Sequence, residues 1–191
     1  KLEKQKQSSI FKNNYPVLLF IGRLTRQKKI DQLIEAAKTL NKRANFNLLI
    51  IGDGEEKLIL EELAKDLIKE NKCIFYGKSY DEDELSRLIY NSDLTVSPGN
   101  VGLTAIHSLS YGTPVCSHSD VSKQMPEVES IIEGENGFFF HENDVQSIVE
   151  GIINWFDKKK LIDKKKIRQV VDKYYNPTYQ KEVILRSIKV K

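Results

Sequence analysis

Two stretches of this sequence gather residue types suited to holding a phosphate. The first, "GRLTRQKK" from Gly22 to Lys29, places Arg23, Arg26, Lys28 and Lys29 directly behind a glycine that ends an apolar run. Arg grips phosphate oxygens with a planar fork, and Lys supplies a mobile point charge. Taken alone, such a loop is equally well explained as solvated basic surface. The second, "VSPGNVGLTAIHSLSYGTPV" (96–115), reads as a strand end, a turn bracketed by Gly99 and Gly102, and a helix starting between Val101 and Thr104. A Gly-Thr-Pro turn then leads into another strand. The free N–H groups and positive end of that helix attract an anion, Thr104 adds a hydroxyl, and His107 stands one turn in. A capped helix start that binds nothing is the plain alternative. Two anion-favouring loops on one sheet edge favour the phosphate.

Other chemistries fit less well. A Walker loop starting at Gly22 requires a glycine where Gln27 stands, and a dinucleotide pattern starting at Gly52 and Gly54 requires one at Lys57. His107, His118 and His141 lack metal-site spacing, so no metal is expected, and no serine occupies a G-x-S-x-G elbow. Asp53 and Glu55, near a helix start, read as capping and dipole-stabilising residues. Glu127, behind Pro126, reads equally well as structural.

The loops need a frame to position them. Short apolar runs, "VLLFI" (17–21), "NLLII" (47–51), "CIFY" (73–76), "LTVS" (94–97), "PVCS" (114–117) and "GFFF" (137–140), alternate with helix-periodic segments. The latter carry Leu33, Ile34, Ala37 and Leu40 in 31–43, then Leu60, Leu63, Ala64 and Leu67 in one helix, then Leu85, Leu88 and Ile89, and finally Val145, Ile148, Val149, Ile152 and Ile153 in 144–156. Continuously apolar strands with right-handed helical crossovers predict an α/β fold: a doubly wound, Rossmann-like parallel sheet with helices on both faces. Ligands then bind beyond the carboxyl ends of the strands, where both phosphate loops fall.

Residues 1–14 read as a polar linker or lead-in, and 15–191 as one domain ending in helices over 157–191: a lysine-rich helix at 157–173, another at 177–190. In the first, Leu161, Ile162, Ile167 and Val170 are expected to pack inward while the lysines face solvent. A peripheral contact with an acidic membrane surface is the sharper reading of the lysines. The net charge of +3 is too small to imply a polyanion partner, and no nucleic acid is expected. Cys73 and Cys116 lie in strand-like runs and read as buried thiols of a reduced, cytoplasmic protein. No apolar run approaches the roughly 20 residues of a membrane helix. The chain opens on Lys1, so a fragment is expected.

With these residues in view, the chain resembles the carboxyl-terminal, donor-binding domain of GT-B-fold glycosyltransferases of the retaining family 4 group. The resemblance rests on the order and spacing of "GRLTRQKKIDQLIEAAKTL", "LLIIGDGEEKLILEELAKDL", "IFYGKSYDEDELSRLIYNSDLTVSPG", the 96–115 motif and "PEVESIIEGENGFFFHENDVQSIVEGI". It implies that Arg23, Lys28 and the backbone N–H groups of Gly102, Leu103 and Thr104 bind the diphosphate of a nucleotide sugar, UDP- or GDP-linked, with no further cofactor. It implies that Tyr76, Gly77 and Lys78 lie near the nucleobase. The family helix carries two glutamates, which fall here on Gly99 and His107. The first touches the sugar in relatives, and Asn100 is the neighbouring candidate for that contact. The second bonds the ribose hydroxyls. His107 either replaces it or is a helix histidine satisfied by a neighbouring carbonyl.

The expected activity is transfer of a hexosyl group from a nucleotide diphosphate to an acceptor glycan or lipid-linked sugar, in bacterial polysaccharide or lipopolysaccharide assembly. The acceptor-binding amino-terminal domain is expected to be missing from this chain, which alone turns over poorly. No catalytic residue is named. The rival readings are a non-catalytic nucleotide-binding or scaffold module, and a nucleic-acid binder using the lysine runs.

Overall fold

The computed structural model describes residues 10–158 and 163–188. Six strands form one fully parallel sheet: β1 (Val17–Ile21), β2 (Asn47–Ile51), β3 (Cys73–Gly77), β4 (Leu94–Ser97), β5 (Val115–His118) and β6 (Gly137–Phe140). Their order, β3-β2-β1-β4-β5-β6, reverses direction between β1 and β4. At that switch point the loops after β1 and β4 diverge and leave a crevice.

Both faces of the sheet are covered, which is why the strands are apolar throughout. Leu18, Phe20, Leu48, Ile50, Leu94 and Val96 point to one side. There they meet α1 (Ile30–Leu40), α2 (Lys57–Leu63), α3 (Lys65–Lys69) and α6 (Val145–Lys158). Alternate residues Val17, Leu19, Leu49 and Ile51 face Leu88 and Ile89 of α4 (Glu82–Tyr90) on the other side. A third cluster joins Ala105 and Leu109 of α5 (Leu103–Ser110) to Ile167, Val170 and Val171 of α7 (Lys164–Tyr174). The last helix, α8 (Pro177–Ile188), has no buried residue. Cys73 and Cys116 are buried free thiols.

The structure departs from the sequence reading in three places. The helix expected to carry Leu60 to Leu67 is two, broken at Ala64, although Leu60, Ala64 and Leu67 still share a buried face. The lysine-rich segment is not one helix over 157–173: α6 runs on to Lys158, and α7 starts at Lys164 behind Asp163. The Asp163 carboxylate accepts from the Lys165 and Lys166 N–H groups at 3.0 and 3.4 Å, a side-chain cap that fixes the new start. Ile167 and Val170 are buried as expected; Leu161 and Ile162 lie outside the described residues. Finally, the lead-in contributes to the core. Phe11 is 4% exposed in the β1–β2–α4 cluster, and Asn13 exchanges hydrogen bonds with the Asn47 side chain at 2.6 and 3.2 Å.

Candidate functional site

The loop after β1 begins at Gly22, whose N–H donates to Ile51, and makes a 3-10 turn over Arg26–Lys28. Its course is fixed by the loop after β4. The Gly99 N–H donates to the Lys28 carbonyl at 3.1 Å. The Lys28 ammonium donates to both the main-chain oxygen and Oδ1 of Asn100, at 2.8 and 2.9 Å. Gly99 is the only residue type that fits there: a Cβ would lie 2.2 Å from the Gln27 oxygen and 2.7 Å from the Lys28 Cα. The position aligned with a family glutamate thus has no room for any side chain. Burial, together with the nearby Arg23 charge, holds the Lys28 amine below its ordinary value.

Helix α5 starts in the same crevice. Its N-cap, Gly102, offers no side-chain cap, and Leu103 in the first turn is 74% exposed. The first-turn N–H groups of Leu103 and Thr104 therefore lack a side-chain partner, the condition for anion binding. The Thr104 hydroxyl donates to the Ile21 carbonyl at 3.3 Å, tying the helix start to the end of β1. The Val101 N–H is taken by Gln124 Oε1 at 2.7 Å. Lys28 and the Gly102–Thr104 backbone therefore meet at the switch point, with the Arg23 charge close to Lys28.

On the β2–β3 side of these groups a cleft of about 480 Å³ is lined by Gly22, Arg23, Gly52, Asp53, Lys78 and Tyr80, among others. Of the three residues expected near a nucleobase, Lys78 lines this cleft. Tyr76 turns toward α4, where its hydroxyl donates to Glu84; Ser79 donates to the other Glu84 oxygen at 2.5 Å. The Gly77 carbonyl accepts from the Gly52 N–H at 2.9 Å. Asp53 and Tyr80 were not singled out by sequence for this cleft. The signal for the first was the Gly52-x-Gly54 turn itself, which brings bare backbone against the β1 loop: a Cβ on Gly52 would sit 1.8 Å from the Gly22 oxygen. Tyr80 carries no such signal, yet it stands 90% exposed at the rim.

His107 bonds a side chain rather than a neighbouring carbonyl. Its Nε2 lies 2.9 Å from Oε1 of Glu82, the first residue of α4, and the Tyr111 hydroxyl donates to the same oxygen. Hydrogen bonds from Tyr111 and then His107 hold the Glu82 carboxyl below the usual carboxylate range. Burial, reinforced by the Glu82 carboxylate, pushes the Tyr111 phenol up to about 12. A carboxylate therefore stands beside position 107 after all, delivered by a neighbouring helix. Glu127 comes near Gly102, with Oε2 buried and unpartnered; a Cβ on Gly102 would lie 4.0 Å from it.

Among the described residues no three His, Cys, Asp or Glu side chains cluster as a metal site, and no helix is long and apolar enough to cross a membrane.

Known proteins share this sequence pattern and this fold. The family model described as glycosyl transferases group 1 matches residues 2–173. An uncharacterized glycosyltransferase of Methanocaldococcus jannaschii is 30% identical over 175 residues, which is 88% of this chain and 43% of that protein. The apo structure of the lipopolysaccharide outer core galactosyltransferase WaaB superposes with a TM-score of 0.74 at 20% identity, over 89% of this chain and 48% of that one. HepE of Anabaena, in complex with UDP, superposes at 0.72 and 19% identity, over 93% and 50%. The chain thus spans half or less of the length of these relatives.

Proposed function

Because the chain belongs to the glycosyl transferases group 1 family, we propose that it is the donor-binding half of an enzyme that transfers a hexosyl group from a nucleoside diphosphate sugar, with retention at the anomeric carbon. The observation that carries this reading is the meeting of Lys28 and the uncapped start of α5 at the switch point of the sheet, with the Arg23 charge close to Lys28. As the anomeric C–O bond breaks, its electron pair passes to the leaving diphosphate. The held Lys28, the nearby Arg23 and a helix N-terminus stabilise the growing charge more in the transition state than in the ground state. The acceptor, a glycan or lipid-linked sugar, is bound by a part of the protein outside this chain. The setting is the cytoplasmic assembly of a bacterial surface polysaccharide or lipopolysaccharide, with peripheral membrane contact where the acceptor is lipid-linked.

The absence of an acidic side chain at both Gly99 and His107 favours a second reading, a nucleotide-binding module without catalysis. Glu82 beside His107 weakens it, since a carboxylate is present where that position opens to solvent. Calorimetric titration with UDP, GDP, ADP and CMP tests what both readings share. One diphosphate is expected to bind, and binding by none at millimolar concentration overturns both. Release of diphosphate from the matching nucleotide sugar, once the acceptor-binding part is supplied, separates them.

A further inference from the structure

On the other side of the crevice, beyond the ends of β4, β5 and β6, lies a second pocket of about 350 Å³. It is lined by Gln27, Lys29, Asn100, His118, Lys123 and Glu142. Its charges are spent on one another. Glu142 accepts from Lys29 at 2.5 Å and from Lys123 at 2.6 Å, and Lys123 also pairs with Asp120 at 3.0 Å. The lining itself holds two ammoniums and one carboxylate, and Asp120, just outside it, balances the second ammonium through Lys123. The groups still able to take a ligand are uncharged. His118, the last residue of β5, is 1% exposed, and its Nδ1 is buried with no hydrogen-bond partner. Its main chain is occupied, the carbonyl accepting from Gln124 at 3.0 Å. Gln27 is exposed at the rim.

We propose that this pocket receives the glycosyl group of the donor, with His118 Nδ1 and the Gln27 amide bonding its hydroxyls, and that the group is a neutral sugar. The inference rests on the donor-binding reading above and assigns the part of the ligand beyond the diphosphate. Asn100 belongs to both places: Lys28 grips it within the cradle, and it walls this pocket. A ligand whose phosphates lie between Lys28 and α5 therefore extends into the Tyr80 cleft at one end and reaches His118 at the other. A hydroxyl is the group that suits a buried ring nitrogen in a neutral site, because it donates or accepts as required. A uronate carboxylate fits poorly, since Lys29 and Lys123 are already paired with carboxylates, Lys28 is committed to Asn100 and the diphosphate, and a desolvated carboxylate without its own cation is costly. Each of the two side chains is asked to supply one ordinary hydrogen bond.

The test is calorimetry on the 191-residue chain, using UDP and GDP, then UDP-glucose and GDP-mannose, then UDP-glucuronate and GDP-mannuronate. With the base that binds, His118→Ala and Gln27→Ala are each expected to weaken the neutral nucleotide sugar about five- to tenfold and leave the bare diphosphate within about twofold. The uronate is expected to bind the unaltered chain less tightly than the neutral sugar. Gln27→Ala, at an exposed position, carries the test if His118→Ala unfolds. The proposal is overturned if both variants weaken diphosphate and sugar alike, if neither affects the sugar, or if the uronate binds as well as the neutral sugar. If no diphosphate binds the unaltered chain, the donor-binding reading itself falls and takes this assignment with it.

Discussion

Replacing Gly99 with alanine is a sharp probe of how the loops after β1 and β4 are joined. Gly99 does not need a left-handed backbone, so strain in φ does not enter. The whole effect is the added methyl, which would lie 2.2 Å from the Gln27 oxygen and within 3 Å of Lys28 backbone atoms. Neither neighbour is a flexible side-chain end, so the 26–29 turn must move by about 1 Å, at a cost of about 2–3 kcal/mol. For a chain of this size that corresponds to a drop of about 5–10 °C in Tm. The displacement also takes Lys28 away from Asn100, so nucleoside diphosphate affinity is expected to fall by about tenfold or more, beyond what the stability loss accounts for. Thermal unfolding followed by circular dichroism, and calorimetry well below the transition, read the two effects separately. An alanine variant with unchanged Tm and unchanged affinity refutes the close packing of the loops. The same clash predicts that Gly99→Glu, which restores the family residue, costs more still.

Further outcomes follow from individual contacts. If His107 meets ribose, the chain prefers UDP or GDP over the 2′-deoxy form by about fivefold and His107→Ala removes the preference; no preference in the unaltered chain takes that role away. Burial holds the His118 imidazole below its ordinary 6.5, opposed by Glu142 and aided by Lys29. The unfolded chain therefore binds the extra proton, and stability falls as pH drops from about 6.5 through the folded value. A Tm series from about pH 7.5 to 5.5 is expected to show this decline, with His118→Asn flattening it. The carboxylates with lowered values, among them Glu82 and Glu142, lose their contribution only at more acid pH. Glu127→Gln removes a negative charge near Gly102 and is expected to tighten diphosphate binding about twofold to fivefold; weaker binding would instead give Glu127 a positioning role.

The strands were legible because burial on two faces leaves an unbroken apolar run, and the carboxyl-edge rule then placed the loops after β1 and β4 at one edge without any view of the fold. Boundaries set by one local contact were not. The break before α7 depends on the Asp163 cap, and the break at Ala64 on a backbone turn that leaves the apolar spacing unchanged. At the site, the positions of Arg23, Lys28 and the α5 start follow from local sequence. The partner of His107 does not, because Glu82 stands 25 residues earlier and meets it only through the packing of two neighbouring helices. The need for glycine at position 99 was likewise invisible, since it arises from a loop more than 70 residues away.

The most direct test of the central claim is an amide NMR titration of the chain with the nucleoside diphosphate that binds, repeated on Arg23→Ala and Lys28→Ala. The largest shifts are expected at the N–H groups of Gly102, Leu103 and Thr104, with affinity falling about tenfold or more in each variant. Binding that leaves those amides unmoved, or that survives both substitutions, would contradict the account and place the ligand elsewhere on the chain.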